Sequence, residues 1–372
     1  MDNRKGNAGW RLVTALLFVI AWISMGTVSV SAGVVEPTGD REGKEDYRII
    51  QSLLASDGEV RLKSGETYYI VKPIILNSDQ TILAKGAKII CLQGAFRSDT
   101  PRQDHYKSIK NVTVDGGTWT NIDKEGLRGS MIQFAHGQKI TIKNLEVSCN
   151  YAGHAIELIA VKDTVVDNCK VKPLGYCPQD CREEQIQIDI STPATAPKVA
   201  AGGQNLVQGQ TCENVTVKNC TVSGARGICA NFTKTENGKY LNKFHKNIVI
   251  KNNKIEGKTG EALALFNVIG AAVEGNTITN NNGSIGESYS VGLHIAMFGK
   301  APSAMNSAVI RVKNNVIKGG RQGMLVYSHS SSQYGKLIMQ KNKCYAKAGK
   351  EKAYEIHFVK QPQVSKNQKY AW

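Results

Sequence analysis

The stretch CENVTVKNCTVSGARGICANF, residues 212–232, alternates small apolar and polar residues on either side of two breaks, Asn219-Cys220 and Gly224. A period of two marks a half-buried β-strand, so this short segment holds two strands and the bends between them. The first half of the pattern recurs as VTVDGGTW (112–119), ITIKNLEV (140–147), TVVDNCKV (164–171), IVIKNNKI (248–255), AAVEGNTI (271–278), IRVKNNVI (310–317) and LIMQKNKC (337–344). The second half recurs as HAIELI (154–159), QIQIDI (185–190), EALALF (261–266), VGLHIA (291–296), GMLVYS (323–328) and YEIHFV (354–359).

Aligned on their fifth residue, the copies lie as close as Asn252 and Gly275, a unit of 23 residues, with insertions in the longer intervals. Short strands repeating at that interval without crossover helices predict a solenoid in which each coil pairs in parallel with the next, a parallel β-helix. Alternation then points Ile156, Leu158, Ile186, Ile188, Ile228 and Ile295 into the shaft and their neighbours outward. The residue after the aligned position runs Cys169, Cys220, Asn253, Asn276, Asn315 and Asn342. Identical amides at one bend can hydrogen-bond from coil to coil, so this column reads as an internal ladder with the cysteines as small buried fillers. The N-x-T triplets at Asn111, Asn214, Asn219 and Asn231 follow from the repeat, and they are read as architecture before glycosylation. The charges one position earlier, among them Asp115, Lys143, Asp167 and Lys218, read as a solvated outer face.

The 372 residues, with 36 glycines and few aromatics, suit one β-rich domain over residues 33–372. Before it, Arg4, Lys5 and Arg11 precede an apolar run from Leu12 to Met25, and Val30-Ser31-Ala32 offers a cleavage site, so residues 1–32 are expected to be a signal peptide. An uncleaved anchor is the alternative, against which the run is short for a spanning helix and has a cleavage-like tail. The formal charge is +16; Arg4, Lys5 and Arg11 against Asp2 account for two of these, leaving +14 on residues 33–372. Outside the cell nucleic acid is excluded as a partner, and an acidic glycan or anionic wall is the natural counterpart of such a field. With cleavage, no stable membrane insertion is expected, and a monomer is. Nine cysteines leave at least one unpaired. Cys177 and Cys181 lack the further ligands of a zinc site, and a loop disulfide among Cys177, Cys181 and Cys212 is expected instead.

At this point the chain resembles the pectate-lyase-like right-handed parallel β-helices. Besides the repeats, DYRIIQSLLAS (46–56) looks like the short helix that caps the shaft and GEVRLKSGETYYIVKPIIL (58–76) like its first coil. The resemblance implies the right-handed, single-stranded helix and a polysaccharide, often rich in uronic acid, along a groove on one sheet. The catalytic signatures do not carry over. Of the polygalacturonase-type motifs only the fragments Gly153-His154-Ala155 and Arg311-Val312-Lys313 are present, and the calcium and arginine motifs of the lyases are not recognisable.

The site is therefore sought on the outward face of the second strand. Stacking by the inward residues aligns Glu157, Gln187, Cys229, Ala264 and His294, then Ile159, Asp189, Asn231, Phe266, Ala296 and Tyr327, with His154, Glu184, Arg226 and Glu261 just ahead of the strands. Glu157 and Asp189 fall about 8 Å apart on strand geometry, which fits the two carboxyls of an inverting glycosidase. For β-elimination, Arg226, Gln187 or Asn231 would neutralise the uronate, and His154, Lys234 or Tyr327 would act as base. Calcium bridged by Glu157, Glu184 and Asp189 is the one cofactor considered. Polar insertions at about 191–211 and 233–244 leave two successive coils and are expected to wall a groove. The expectation is a secreted lyase or hydrolase of an acidic polysaccharide, with a non-catalytic wall-binding protein as the alternative. The stretch holding His294, Tyr327, His329 and His357 is the next place to look.

Overall fold

The computed structural model describes residues 33–99, 101–121 and 129–372; the expected signal peptide lies outside them. Among the described residues the strands form three parallel sheets of twelve, eleven and ten strands, each coil giving one strand to each sheet in turn. One coil runs through Gly137–Lys143, Glu146–Ser148 and Ile156–Ile159 before Lys162–Asp167 begins the next. Pairing is in register, Ile142 on Val166, Val147 on Val171 and Ile156 on Ile186. Like therefore stacks on like. Val114, Ile142, Val166, Val217, Ile250, Val273 and Val312 form one continuous inward row, all fully buried. All six side chains expected to point inward do so. At about 1.5–3 kcal/mol for each aliphatic side chain buried, rows of this kind carry most of the favourable energy of the shaft.

The helix Lys44–Asp57 closes the N-terminal end, as its sequence predicts, and sets Ile50 and Leu54 against the first coil. Asp46 and Gln51 fasten it by accepting from Tyr69 N–H at 2.9 Å and Ile75 N–H at 2.8 Å. No helix among the described residues is long and apolar enough to cross a membrane.

The asparagines do two jobs, one at each of two neighbouring positions. The aligned fifth residue turns the chain from the twelve- to the eleven-stranded sheet in the left-handed region, with φ 61° at Asn144, 51° at Asn168 and 55° at Asn219. Asparagine tolerates that conformation better than other residues with a Cβ. Asn111 and Asn214 take the same conformation, φ 56° and 54°, within the strands Ile109–Asp115 and Glu213–Lys218, so three of the four N-x-T asparagines hold left-handed backbone positions. The next residue points inward. Asn253 donates from its backbone N–H (2.8 Å) and side-chain NH₂ (3.0 Å) to Asn276 Oδ1, and Asn276 does the same to Asn315. Asn315 repeats the pattern to Asn342, and Asn342 to Asn367. The second hydrogen of each NH₂ goes back to a strand carbonyl, Val217 O for Asn253 and Ile250 O for Asn276, both at 2.9 Å. Cys220 and Cys169 extend the column at lower strength, Cys220 N–H donating to Asn253 Oδ1 and Cys169 N–H to Cys220 Sγ.

The expected loop disulfide involving Cys212 does not form, because Cys212 is inside the shaft. All nine cysteines are unpaired. Cys212 Sγ accepts from Val161 N–H at 3.4 Å, and its own N–H donates to Nδ1 of the buried His245 at 3.0 Å. It is the counterpart, at another corner, of the ladder cysteines.

Two outcomes follow from these contacts. Asn276→Ala orphans two buried donors of Asn253 and is expected to cost at least about 2 kcal/mol in chemical denaturation, whereas the exposed corner change Asn144→Ala costs about 1 kcal/mol. Burial, partly opposed by the Asn231 carbonyl, pulls the His245 pKa from 6.5 down to about 4. The unfolded chain then binds the extra proton between those values, so stability falls as pH drops from about 6.5 to about 4, by about 3 kcal/mol in full. His245→Gln is expected to flatten that part of the stability–pH curve, and an unchanged slope would show that His245 is not its source.

Candidate active site

The outward face of the ten-stranded sheet carries the polar columns in the register expected: Gln133, Glu157, Gln187, Cys229, Ala264, His294, Leu325 and Glu355 stand on successive rungs. The parallel column two residues on holds Ile159, Asp189, Phe266, Ala296 and Tyr327. The register follows from the inward rows; what covers each rung does not.

Over the earlier coils the face is closed. The insertion after Asp189 folds down with its short helix Pro197–Ala200, and Ala196, Val199, Leu206 and Val207 pack on Ala135, Ile159 and Ala160. Ser191 Oγ donates to Leu206 O at 2.6 Å, and His136 Nε2 to the same carbonyl at 2.7 Å, pinning it. Asp189 is left 1% exposed, and burial, opposed by the Ile190 N–H and reinforced by Glu157, drives its pKa well above the ordinary carboxylate value. Glu157 is also buried, its Oε2 taken by Ser130 Oγ and by Gln133 Nε2 at 2.5 Å. Gln187 lies between them, its Oε1 buried without a partner. His154 donates from Nδ1 to Glu184 O at 2.7 Å. None of Glu157, Asp189, Gln187, His154 and Glu184 lines the large cleft described below.

The calcium reading fails on the donor set. Glu184 accepts from Arg226 at 3.0 Å, Glu157 is engaged by Ser130 and Gln133, and Asp189 is pushed toward its neutral form. His154, Glu183 and Glu184 do place ligand atoms within 4.8 Å of one another, but the Arg226 guanidinium already holds the charge of Glu184. Lys234 stands apart on the second insertion, over the Tyr240 ring at 5.2 Å. It lines a separate groove of about 520 Å³ between the two insertions.

The open site lies further along the shaft, a cleft of about 700 Å³ that includes Arg226 and Asn231 of the expected set. Arg226 donates from Nε to Glu261 at 2.8 Å and from Nη1 to Glu184 at 3.0 Å, bridging three successive coils. Glu261 is buried, yet its pKa is lowered, because Arg226 and His294 outweigh the cost of burial. Its free oxygen Oε1 accepts from His294 Nδ1–H at 3.1 Å. That fixes the imidazole tautomer and turns Nε2 into the basic nitrogen, which is buried and has no partner. His294 lines the cleft.

Aromatic rings wall one side. Phe232 and Phe298 stack at 3.7 Å between centroids, Phe298 and His329 at 4.3 Å, and Phe266 stands edge-on to His294 at 5.2 Å. Tyr240 from the second insertion packs on Phe298, behind a cleft whose lining includes no residue of 233–244. At the far end Glu355 is held by Lys352 at 2.8 Å and Gln322 at 2.6 Å; these bonds overcome burial and lower its pKa. Burial and the charge of His294 lower the pKa of His329. Tyr327, His329, His357 and Arg321 line the same cleft with no hydrogen bond from a side-chain polar atom to another described residue. The sequence columns contained Glu261 and His294; the aromatic wall was harder to see, since Phe298 falls just beyond its alternating run and Phe232, at the end of its own, lies past the strand Arg226–Ala230.

No family model matches the chain, and no curated protein matches it. Among solved structures it is similar to PfbA, a surface adhesin of Streptococcus pneumoniae, with 16% identity and a TM-score of 0.56 over 91% of each chain. A second PfbA structure gives 15% identity and a TM-score of 0.60, covering 90% of this chain and 95% of that one. A polygalacturonase from Erwinia carotovora is similar at 13% identity and a TM-score of 0.48, covering 90% and 93%. Likeness at these identities establishes the fold alone: the chain is a right-handed parallel β-helix.

Arg226→Met leaves two carboxylates buried without their cation, so it is expected to cost about 3–5 kcal/mol, an effect that added salt does not rescue. Adding Glu184→Gln and Glu261→Gln should recover most of that loss. If the triple variant is no more stable than the single one, the ion pairs are not what makes Arg226 necessary.

Proposed function

We propose that this chain is an extracellular carbohydrate-active protein that cleaves a uronate-containing polysaccharide by β-elimination in the 700 Å³ cleft. One observation carries the reading: Glu261 holds Nδ1 of His294, a residue lining the cleft, and leaves Nε2 as the unpartnered nitrogen, buried so that the ring must turn slightly toward the cleft to meet a substrate. An imidazole set by a carboxylate is suited to removing a carbon-bound proton near neutral pH. In this reading Nε2 takes the proton next to the uronate carboxylate, Arg321 balances the charge that develops there, and Tyr327 protonates the departing glycosidic oxygen as the double bond forms. Hydrolysis is less well supported. It asks for a carboxylic acid with a raised pKa, and both cleft carboxylates, Glu261 and Glu355, are shifted the other way. Asp189 has the raised value, but the insertion covers it.

A second reading is adhesion without turnover. It is favoured by the likeness to PfbA, a surface adhesin, with TM-scores of 0.56 and 0.60 for its two structures. Either way, the +14 on residues 33–372 supports an anionic polymer as partner, and binding that weakens as salt rises is expected.

A panel of polyuronates assayed for unsaturated uronate ends separates these readings. The elimination reading expects such ends to appear, and His294→Gln and Tyr327→Phe each to lower kcat at least about a hundredfold at unchanged melting temperature. Glu157→Gln and Asp189→Asn should then leave turnover intact. Loss of turnover in that second pair alone would move the chemistry under the insertion, reducing ends without unsaturation would make the chain a hydrolase, and salt-sensitive binding without products would leave the adhesin.

A further inference from the structure

The nine cysteines fall into two groups. Seven are buried, and only Cys177 and Cys181 reach the surface. These two share one turn, closed by Cys181 N–H donating to Pro178 O at 3.1 Å. Both lean on Thr259, whose Oγ1 lies 3.9 Å from Cys177 Sγ and donates to Cys181 O at 2.5 Å. The two thiols have unequal surroundings. Burial raises both; at Cys177 the Thr259 hydroxyl and then the charges of Lys258 and Arg182 pull the other way, whereas at Cys181 the Glu183 N–H opposes burial and the charges of Cys177, Glu183 and Asp180 reinforce it. A thiol beside cations is the better first nucleophile, and a second thiol one turn away is placed to resolve the product.

The turn is tied to the cleft. Arg182 Nη1 donates to Gln179 O and Cys181 O, both at 2.7 Å, and the guanidinium lies 4.1 Å over the ring of Tyr289, which lines the cleft. We propose that Cys177 and Cys181 are a reversible dithiol–disulfide pair, oxidised by exchange with a small-molecule disulfide, which locks the turn that seats Arg182 under Tyr289 at the cleft rim. With glutathione disulfide as oxidant, the Cys177 thiolate attacks one of its sulfurs, the S–S bond breaks, and one glutathione leaves and takes up a proton. The Cys181 thiolate then attacks the Cys177 sulfur of the mixed disulfide and expels the second glutathione. Two electrons and two protons pass from the pair to the oxidant, and excess thiol reverses both steps.

The test does not depend on the proposed activity. Folded protein is equilibrated with glutathione disulfide, free thiols are alkylated, and the tryptic peptide Val171–Arg182, which holds both residues and no other cysteine, is weighed. The expected peptide is two hydrogens lighter than the dithiol and carries no alkyl group, returning to the doubly alkylated form after reduction. Cys181→Ser is expected to retain one glutathione on Cys177, and in Cys177→Ser the remaining thiol reacts about tenfold more slowly. The proposal is overturned if the native peptide stays doubly alkylated under conditions that load glutathione onto Cys181→Ser, or if it ends with two glutathiones.

Discussion

A parallel stack has to satisfy, coil by coil, the backbone groups that its bends release from the sheets. Here the inward asparagine does so: each accepts from the N–H and NH₂ of the previous rung and returns its second hydrogen to a strand carbonyl. A bend buried in a dry shaft without such partners would forfeit about 1–3 kcal/mol for each orphaned group. The corner ahead of it has to be left-handed to aim that side chain inward, which is why asparagine occupies both positions at Asn252 and Asn253. In-register rows of aliphatic residues can form only because this bend repeats.

The fixed register frees the outer face. Since every rung repeats the geometry of the last, outward residues vary at no cost to the shaft, and chemistry arises wherever unlike rungs adjoin. Glu184, Arg226, Glu261 and His294 come from four consecutive coils and make a continuous chain of charge and hydrogen bonds. Arg226 and Glu261 settle the charge, and His294 is left with one nitrogen uncommitted.

The fold was legible because the pattern that signals it is local and repeated. The capping helix, the inward rows, the amide ladder and the outward columns all follow from alternation and spacing. The site was legible only as columns. Glu157 and Asp189 fell on the polar face as expected, but whether solvent reaches them depends on how Ala196, Val199, Leu206 and Val207 pack, and an Ala/Gly/Pro-rich insertion has no period from which to read that. Cys212 misled for a related reason. Its neighbours in sequence belong to the insertion, yet its Sγ already sits among Leu158 and Asp189 carbonyls inside the shaft. The aromatic wall is assembled by Phe232 and Phe298 from just past the ends of their strands, with Tyr240 packed on Phe298 behind it.

The amide ladder also has a direction. Every donor belongs to an earlier coil and every Oδ1 acceptor to a later one, from Cys220 through Asn253, Asn276, Asn315 and Asn342 to Asn367. The aligned amides polarise one another, so the column behaves as a one-way chain instead of a set of independent rungs. Damage to a rung leaves the donors of the coil before it without an acceptor and the coil after it with an idle carbonyl oxygen, the milder deficit. The shaft is therefore built to fray toward its N-terminal helix, with the coils of the cleft upstream of the rungs on which they depend.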